Sequence, residues 1–260
     1  MKKRILAVLI ATALAVSVTG CVGNATSSSD STSASSVAES SDTSTQTSAD
    51  ASSEDESKDE SSQEESKDLE ANYTKYTLDG DLTQHMIDMS RLNEGNKVRL
   101  ANVIKKLKNG EEVTVGFIGG SITQGTSAGN DLCYAKLTAD WLQQTYSNAK
   151  INYVNAGIGA TGSYIGVHRV ENDLLSKKPD LVFVEFSVND TTENTERNKK
   201  SYDGLLRTIW KSSTNPAIIT IATTQEDGTS FQDQHAEIVK HYDLPMISYR
   251  NLSLIHISEP

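Results

Sequence analysis

The sequence has few cysteines and no excess of basic residues. Only two of its 260 residues are cysteines, Cys21 and Cys133. Because Cys21 belongs to a leader segment, Cys133 is left alone and no intrachain disulfide is expected. Lysine and arginine together number 24 against 35 acidic residues, so the chain lacks the basic surface that nucleic acid requires. These absences exclude a disulfide-held fold and a nucleic-acid partner.

The chain also lacks an apolar run long enough to cross a membrane. The longest run, residues 5–18, follows the basic residues 2–4 and is typical of an export signal. It leads into Val-Thr-Gly-Cys, which resembles the bacterial lipobox, where cleavage leaves the cysteine as a lipid-modified N-terminus. We therefore predict a lipoprotein signal peptide over residues 1–21, with lipidation at Cys21 and anchoring to the outer face of a membrane. An ordinary signal peptide with an incidental cysteine is the alternative.

Large apolar residues are almost absent from residues 22–70, which are rich in Ser, Thr, Ala, Asp and Glu. Such a segment cannot bury enough surface to offset the entropy of ordering it, so we predict a disordered linker. Residues 25–70 contain 13 acidic and 2 basic residues, a net charge of −11 that equals the formal net charge of the whole chain. The remainder is therefore balanced in charge, and residues 71–251 are expected to form one globular domain.

Helix and strand patterns alternate through this domain. In residues 96–110, for example, Leu100, Val103, Ile104 and Leu107 recur at the spacing of one helical face. The alternation predicts parallel βαβ units: an α/β fold with a three-layer, doubly wound parallel sheet and functional residues at the carboxyl ends of the strands. Strands are predicted at 113–119, 151–155, 180–186, 217–222 and 245–249, and helices at 96–110, 134–148, 164–178, 199–212 and 231–242.

Two of the predicted strand ends carry polar residues that suit catalysis. Ser121 follows two glycines between a strand and a helix, so its hydroxyl is exposed on a tight turn. The start of the following helix adds N–H groups that favour a developing anion, although a plain N-cap is the alternative interpretation. Asn189 follows the third strand, and its side chain can reach the same crevice, although asparagine is also a common turn residue.

The loop after the second strand suggests a different function. It contains a G-x-G-x-x-G pattern at Gly157, Gly159 and Gly162, and Glu185 lies near the end of the next strand. A dinucleotide-binding protein uses such glycines for the pyrophosphate and such an acid for the ribose. The sequence therefore also allows a dinucleotide site.

Taken together, three blocks resemble the SGNH (GDSL-type) hydrolase family. They are GGSITQG (119–125), VNAGIGATGS (154–163) and VEFSVND (184–190), in the family's order on successive predicted strands. The first matches the nucleophile block, with Ser121 as the serine and Gly120 in place of the usual aspartate. The third matches the family's G-x-N-D, with Asn189 as the asparagine and Ser187 in place of the glycine. The resemblance covers about residues 95–250 and implies the flavodoxin-like SGNH fold, here without its last helix.

The resemblance also implies a chemistry that needs neither a cofactor nor a metal. Ser121 would attack an ester carbonyl, and the oxyanion would be held by N–H groups and by the Asn189 side chain. In the second block the family's oxyanion glycine falls at Ala160, directly after Gly159. Since only a backbone N–H is needed, the assignment between Gly159 and Ala160 stays open. Export of the chain and the position of the glycine pattern after the second strand both weigh against the dinucleotide interpretation.

The resemblance requires a general base, which the family supplies from a late Asp-x-x-His block that is absent here. His85 precedes the first core strand, and His168 lies in mid-helix. His235 shares a helical stripe with apolar residues, which predicts a buried core histidine, and His241 lies in the last turn of that helix. The five histidines are His85, His168, His235, His241 and His256.

His256 is late enough in the chain, but the residue three positions before it is Ser253. Residues 252–260 also match the in-frame translation of a common sequencing adapter. We therefore expect residues 252–260 to be a non-native tail, the domain over 71–251 to be incomplete, and the chain as printed to be inactive.

The predicted function is a surface-anchored serine esterase that acts on an acylated carbohydrate, with O-deacetylation as the favoured reaction. The substrate follows from the resemblance and from the anchor, since a lipid anchor with a hydrophilic spacer suits a polymer outside the cell. The alternative from another class is a non-catalytic binding protein on the same fold. An acyltransferase that uses the same serine is a further possibility.

Overall fold

The structure is a computed structural model that describes residues 84–191 and 194–252. The predicted signal peptide with Cys21, the predicted linker and His256 lie outside the described residues.

The core of the domain is one six-stranded sheet, which confirms the predicted α/β class. Five strands are parallel, and β1 joins the edge antiparallel to β6. The strand order is β3-β2-β4-β5-β6-β1, so the parallel part has the flavodoxin-like order 2-1-3-4-5. The strands are β1 Arg91–Asn93, β2 Glu112–Gly119, β3 Lys150–Gly157, β4 Leu181–Glu185, β5 Ala217–Ala222 and β6 Met246–Ser248.

Helices cover both faces of the sheet, as expected for parallel strands. None of the helices among the described residues is long and apolar enough to cross a membrane. Short 3₁₀ helices lie at Leu175–Lys177 and Asn189–Thr191. The α-helices are α1 Gln84–Ser90, α2 Val98–Lys108, α3 Ser121–Gln124, α4 Tyr134–Thr145, α5 Ser163–Asp173, α6 Thr195–Trp210 and α7 Gln232–His241.

The sheet separates two apolar cores because successive side chains of a strand point to opposite faces. In β4, Leu181 and Phe183 pack with α2 and α4. Val182 and Val184 of the same strand pack with α5, α6 and α7 on the other face. All five residues of β4 are buried, which explains why its sequence is apolar on both faces apart from Glu185.

The topology brings two of the functional loops together. The chain enters the sheet at β2, adds β3 on one side and then crosses to add β4 on the other. Ligands of such sheets bind at this switch point, outside the carboxyl ends of the strands. Gly119 at the end of β2 pairs with Glu185 at the end of β4. The residues that follow these two strands, including Ser121 and Asn189, therefore lie at the same edge.

The largest differences from the predicted bounds are in α5, which ends at Asp173 and not at 178, and in α6. Tyr164, the first residue of the helix predicted at 164–178, is 42% exposed. The buried face runs instead through Ser163, Gly166 and Val170, because the absence of a side chain at Gly166 lets the helix approach the Phe186 ring. Helix α6 begins four residues earlier than predicted, at Thr195, where the Asn194 side chain accepts the Arg197 N–H at 3.1 Å.

The aromatic layer between β2 and β4 predicts a large stability effect. Phe183 is fully buried, and its ring stacks on Phe117 with centroids 4.9 Å apart. Phe183→Ala should lower the free energy of unfolding by about 3–5 kcal/mol in urea denaturation, since it leaves a cavity in a packed core. The control Val98→Ala, at a residue 65% exposed, should stay within about 0.5 kcal/mol of the wild type. Equal effects from the two substitutions would contradict this packing.

Candidate active site

Ser121 lies on a tight turn between β2 and the single-turn helix α3. The Gln124 N–H donates to the carbonyl of Gly120 at 2.9 Å, and the Gly125 N–H donates to the carbonyl of Ser121 at 2.9 Å. Gly125 ends the turn with φ +90°, in the left-handed region that glycine tolerates. The serine is partly exposed because the strand ends and the chain reverses at the sheet edge.

An open cleft of about 630 Å³ lies at this edge of the sheet. The cleft brings together the four site residues predicted from the sequence. It also contains residues that the sequence analysis missed, of which Gln225 follows β5 and was detectable as a polar residue beyond a strand end. The lining residues are Ser121, Gln124, Thr126, Gly159, Ala160, Val188, Asn189 and Gln225.

Gly120, the glycine before the serine, lies directly against the Asn189 side chain. A Cβ atom at Gly120 would lie 2.9 Å from Asn189 Oδ1 and 3.3 Å from Asn189 Cγ. The carboxamide thus packs directly over the backbone that precedes Ser121. A side chain at position 120 would therefore require the end of the Asn189 side chain to shift.

The loop after β3 has a strained conformation with a defined set of contacts. Ala160 has φ +57°, in the left-handed region. The Ile158 N–H donates to the Gly119 carbonyl at 3.1 Å, and the Thr161 hydroxyl donates to the Ile158 carbonyl at 2.7 Å. The Gly159 N–H donates to Gln124 Oε1 at 2.6 Å. The loop is thereby held against the turn that carries Ser121.

Glu185 lies beneath the site and not in the cleft. It is 1% exposed, and its carboxylate accepts hydrogen bonds from the hydroxyls of Thr223 at 2.6 Å and Thr123 at 3.2 Å. Burial raises the pKa of Glu185, while the hydrogen bonds from Thr223 and Thr123 oppose the shift. A buried carboxylate whose oxygens are engaged in this way cannot reach a ribose, so the structure argues against the dinucleotide interpretation.

Asp190 connects the loops around the cleft. Its Oδ1 accepts the Ser163 N–H at 2.8 Å, and its backbone carbonyl accepts Asn198 Nδ2 at 2.9 Å. Its Oδ2 lies 2.9 Å from His235 Nε2. The carboxylate approaches the loop after β3 so closely that a Cβ atom at Gly162 would be 2.5 Å from Oδ1.

His235 is a buried partner of Asp190, as the sequence predicted for a core histidine. It is fully buried, and its ring stacks on Tyr202 with centroids 3.5 Å apart. Burial lowers the pKa of His235, although the hydrogen bond to Asp190 opposes this. A neutral imidazole with Nε2–H donating to Asp190 fits the contacts, since Nδ1 is buried without a partner among the described residues.

The remaining described histidines do not line the cleft. The ring of His168 on α5 packs edge-on against Tyr164, with centroids 5.3 Å apart. His241 lies in the last turn of α7, as predicted. Within residues 84–191 and 194–252 the cleft therefore combines a serine, backbone N–H groups and amide side chains without a histidine base.

The sheet order and the cleft define a class: a flavodoxin-like α/β domain with an exposed serine at the switch point. Residues 117–244 match the model of the GDSL-like lipase/acylhydrolase family. The domain belongs to this family, which is the SGNH (GDSL-type) hydrolase family that the three sequence blocks resembled. No significant match was found among curated proteins.

Solved structures agree with this family. Two crystal structures of a two-domain esterase (CEX) active on acetylated mannans, one of them co-crystallised with mannopentaose, are each 39% identical with a TM-score of 0.63. Each match covers 66% of this chain and 48% or 47% of the esterase. The chain thus spans about half the length of that protein. The acetyl xylan esterase AlAXEase is 23% identical over 54% of this chain and 80% of its own, with a TM-score of 0.46.

The buried histidine predicts a pH-dependent stability. As pH falls through about 6.5, a histidine in the unfolded chain takes up a proton, whereas His235, with its lowered pKa, stays neutral. The unfolded state then binds more protons, so the free energy of unfolding should fall as pH drops below about 6.5. Urea denaturation at a series of pH values measures this.

His235→Asn should weaken this pH dependence, although the variant is less stable throughout. His241→Asn, at an exposed position, is the matched control and should retain the wild-type slope. An unchanged slope in His235→Asn would show that another group causes the pH dependence.

Proposed function

We propose that this domain is a serine carboxyl-ester hydrolase with Ser121 as its nucleophile. The observation that carries the proposal is the cleft itself. It places Ser121 beside the loop of Gly159 and Ala160 and beside Asn189, at the switch point of a parallel sheet. Acyl transfer requires this combination of a nucleophile and preorganised N–H donors.

The contacts favour Ala160 over Gly159 as the second oxyanion donor. The Gly159 N–H already donates to Gln124 Oε1, whereas the Ala160 N–H has no hydrogen-bond partner among the described residues. The oxyanion would be held by the backbone N–H groups of Ser121 and Ala160 and by the Asn189 side chain. Loss of one such donor typically lowers turnover by about 10²–10³.

In the proposed reaction Ser121 Oγ forms a bond to the carbonyl carbon, and the carbonyl electron pair moves onto the oxygen. A general base takes the serine proton and returns it to the departing alcohol as the carbon–oxygen bond breaks. Water then releases the acid from the acyl-enzyme by the same route. No described histidine lines the cleft, so we propose that the base comes from outside the described residues and that the chain as printed is inactive without an added base.

The proposed substrate is an acetylated carbohydrate. The support comes from the esterase active on acetylated mannans, which is 39% identical. Lipidation at Cys21, attachment to the outer face of a membrane and a flexible spacer over residues 22–70 belong to the same proposal, because they would place the cleft near a polymer outside the cell. A non-catalytic binding protein is the second candidate, favoured by the absence of a histidine among the described cleft residues.

Chemical rescue tests the nucleophile in the chain as it is. Imidazole is the basic group of a histidine side chain, and no described histidine lines the cleft, so adding imidazole should raise the rate of p-nitrophenyl acetate hydrolysis. The Ser121→Ala variant at the same imidazole concentration measures the reaction of imidazole with the ester alone. The difference between the two rates should be positive and should saturate with ester. Equal rates would refute Ser121 as nucleophile and favour the binding protein.

The acyl group and the substrate class are tested together. With imidazole present, acetate release from acetylated mannan should exceed release from Ser121→Ala, and hydrolysis of p-nitrophenyl palmitate should be slower than that of the acetate ester. Faster hydrolysis of the long-chain ester would point to a lipid substrate instead.

A further inference from the structure

Two carboxamide side chains connect the Ser121 turn to the end of β3 in opposite directions. Asn155 Nδ2 donates to the Thr123 carbonyl at 2.8 Å, while Asn155 Oδ1 accepts the Gly157 N–H at 2.9 Å. Gln124 reaches the other way, from the turn to the loop, and accepts the Gly159 N–H at 2.6 Å. The first link fixes the strand end to the turn, and the second fixes the loop beyond it.

The Gln124 side chain is exposed and lies in the cleft, yet its oxygen is committed to the protein. Its backbone is fixed by the hydrogen bond to the Gly120 carbonyl, and Oε1 lies 3.4 Å from the Thr126 hydroxyl as well. The short bond to a backbone N–H indicates that this side chain shapes the loop.

The loop needs such a contact because Ala160 is strained. A non-glycine residue at φ +57° costs about 1–3 kcal/mol and persists only where the surroundings hold it. The bond to Gly159 acts at the peptide directly before Ala160. It also engages the Gly159 N–H, so of the two candidate donors Gly159 and Ala160 only the Ala160 N–H is left for an oxyanion.

We propose that Gln124 is a positioning residue of the oxyanion hole: by accepting the Gly159 N–H it fixes the direction of the Ala160 N–H beside Ser121. This inference rests on the proposed function. Gln124 carries no charge, so it holds the loop without placing a negative charge beside a developing oxyanion. A glutamate in its place would accept the same bond but would oppose that charge.

The test replaces Gln124 with methionine, which is similar in length but offers only a weak acceptor. Amide hydrogen exchange of the full chain, followed by NMR, should show the Gly159 N–H exchanging about tenfold faster, because one hydrogen bond is lost. The Ser121-dependent rate of p-nitrophenyl acetate hydrolysis with imidazole should fall about ten- to hundredfold in kcat, with KM little changed.

Gln143→Met is the matched control. Gln143 also accepts a backbone N–H, that of Ile151 at 3.1 Å, but it does so at the opposite end of β3. This variant should speed exchange at Ile151 while leaving Gly159 exchange and hydrolysis unchanged.

The outcomes distinguish failure of the positioning role of Gln124 from failure of the esterase assignment on which it rests. Unchanged Gly159 exchange in Gln124→Met overturns the positioning role whatever the activity. Faster exchange with unchanged kcat overturns it as well, since the loop would then be free to move without consequence. If Ser121→Ala hydrolyses as fast as the wild type, the esterase assignment itself fails and the positioning role fails with it.

Discussion

The arrangement of the site depends on the buried carboxylate of Asp190. Its oxygens bind the Ser163 N–H and His235, and its carbonyl binds Asn198, so that the loop after β3 and helices α5, α6 and α7 meet at one residue. Because the carboxylate is buried, these bonds compensate for its lost hydration, and removing any partner would leave an uncompensated buried group. Asn189 lies directly before Asp190 in the chain, so the hydrogen bonds of Asp190 also fix the position of Asn189.

Two departures from the family pattern lie in close contact with neighbouring residues. Gly120 lies against the Asn189 carboxamide. Ser187, in the place of a glycine, is fully buried, and its hydroxyl binds the Thr223 carbonyl at 2.9 Å and the Thr223 N–H at 2.7 Å. Thr223 in turn donates to Glu185. A polar network beneath the cleft thus ties the ends of β4 and β5 together where the family has a smaller residue.

Much of the fold was predictable because burial leaves a clear pattern. Strand β5 has the predicted bounds, and the predicted stripe of α2 is buried as a unit. The edge strand β1 was missed because three half-buried residues give no periodicity and its partner, β6, is about 150 residues away. In α5, helical spacing alone does not show which side faces the core, whereas the close approach of Gly166 to the Phe186 ring decides it.

The functional site shows the same division between what local sequence patterns predict and what depends on tertiary contacts. The sequence by itself determined the βαβ alternation, the strand ends and the blocks that contain Ser121, Ala160 and Asn189, because local patterns and motifs encode these. Only the tertiary structure decided that Glu185 is buried, that His235 is hydrogen-bonded to Asp190, and that Gln124 accepts the Gly159 N–H. Those assignments depend on which side chains, distant in sequence, the strand order brings within hydrogen-bond distance. The spacing of residues along the chain does not show which ones these are.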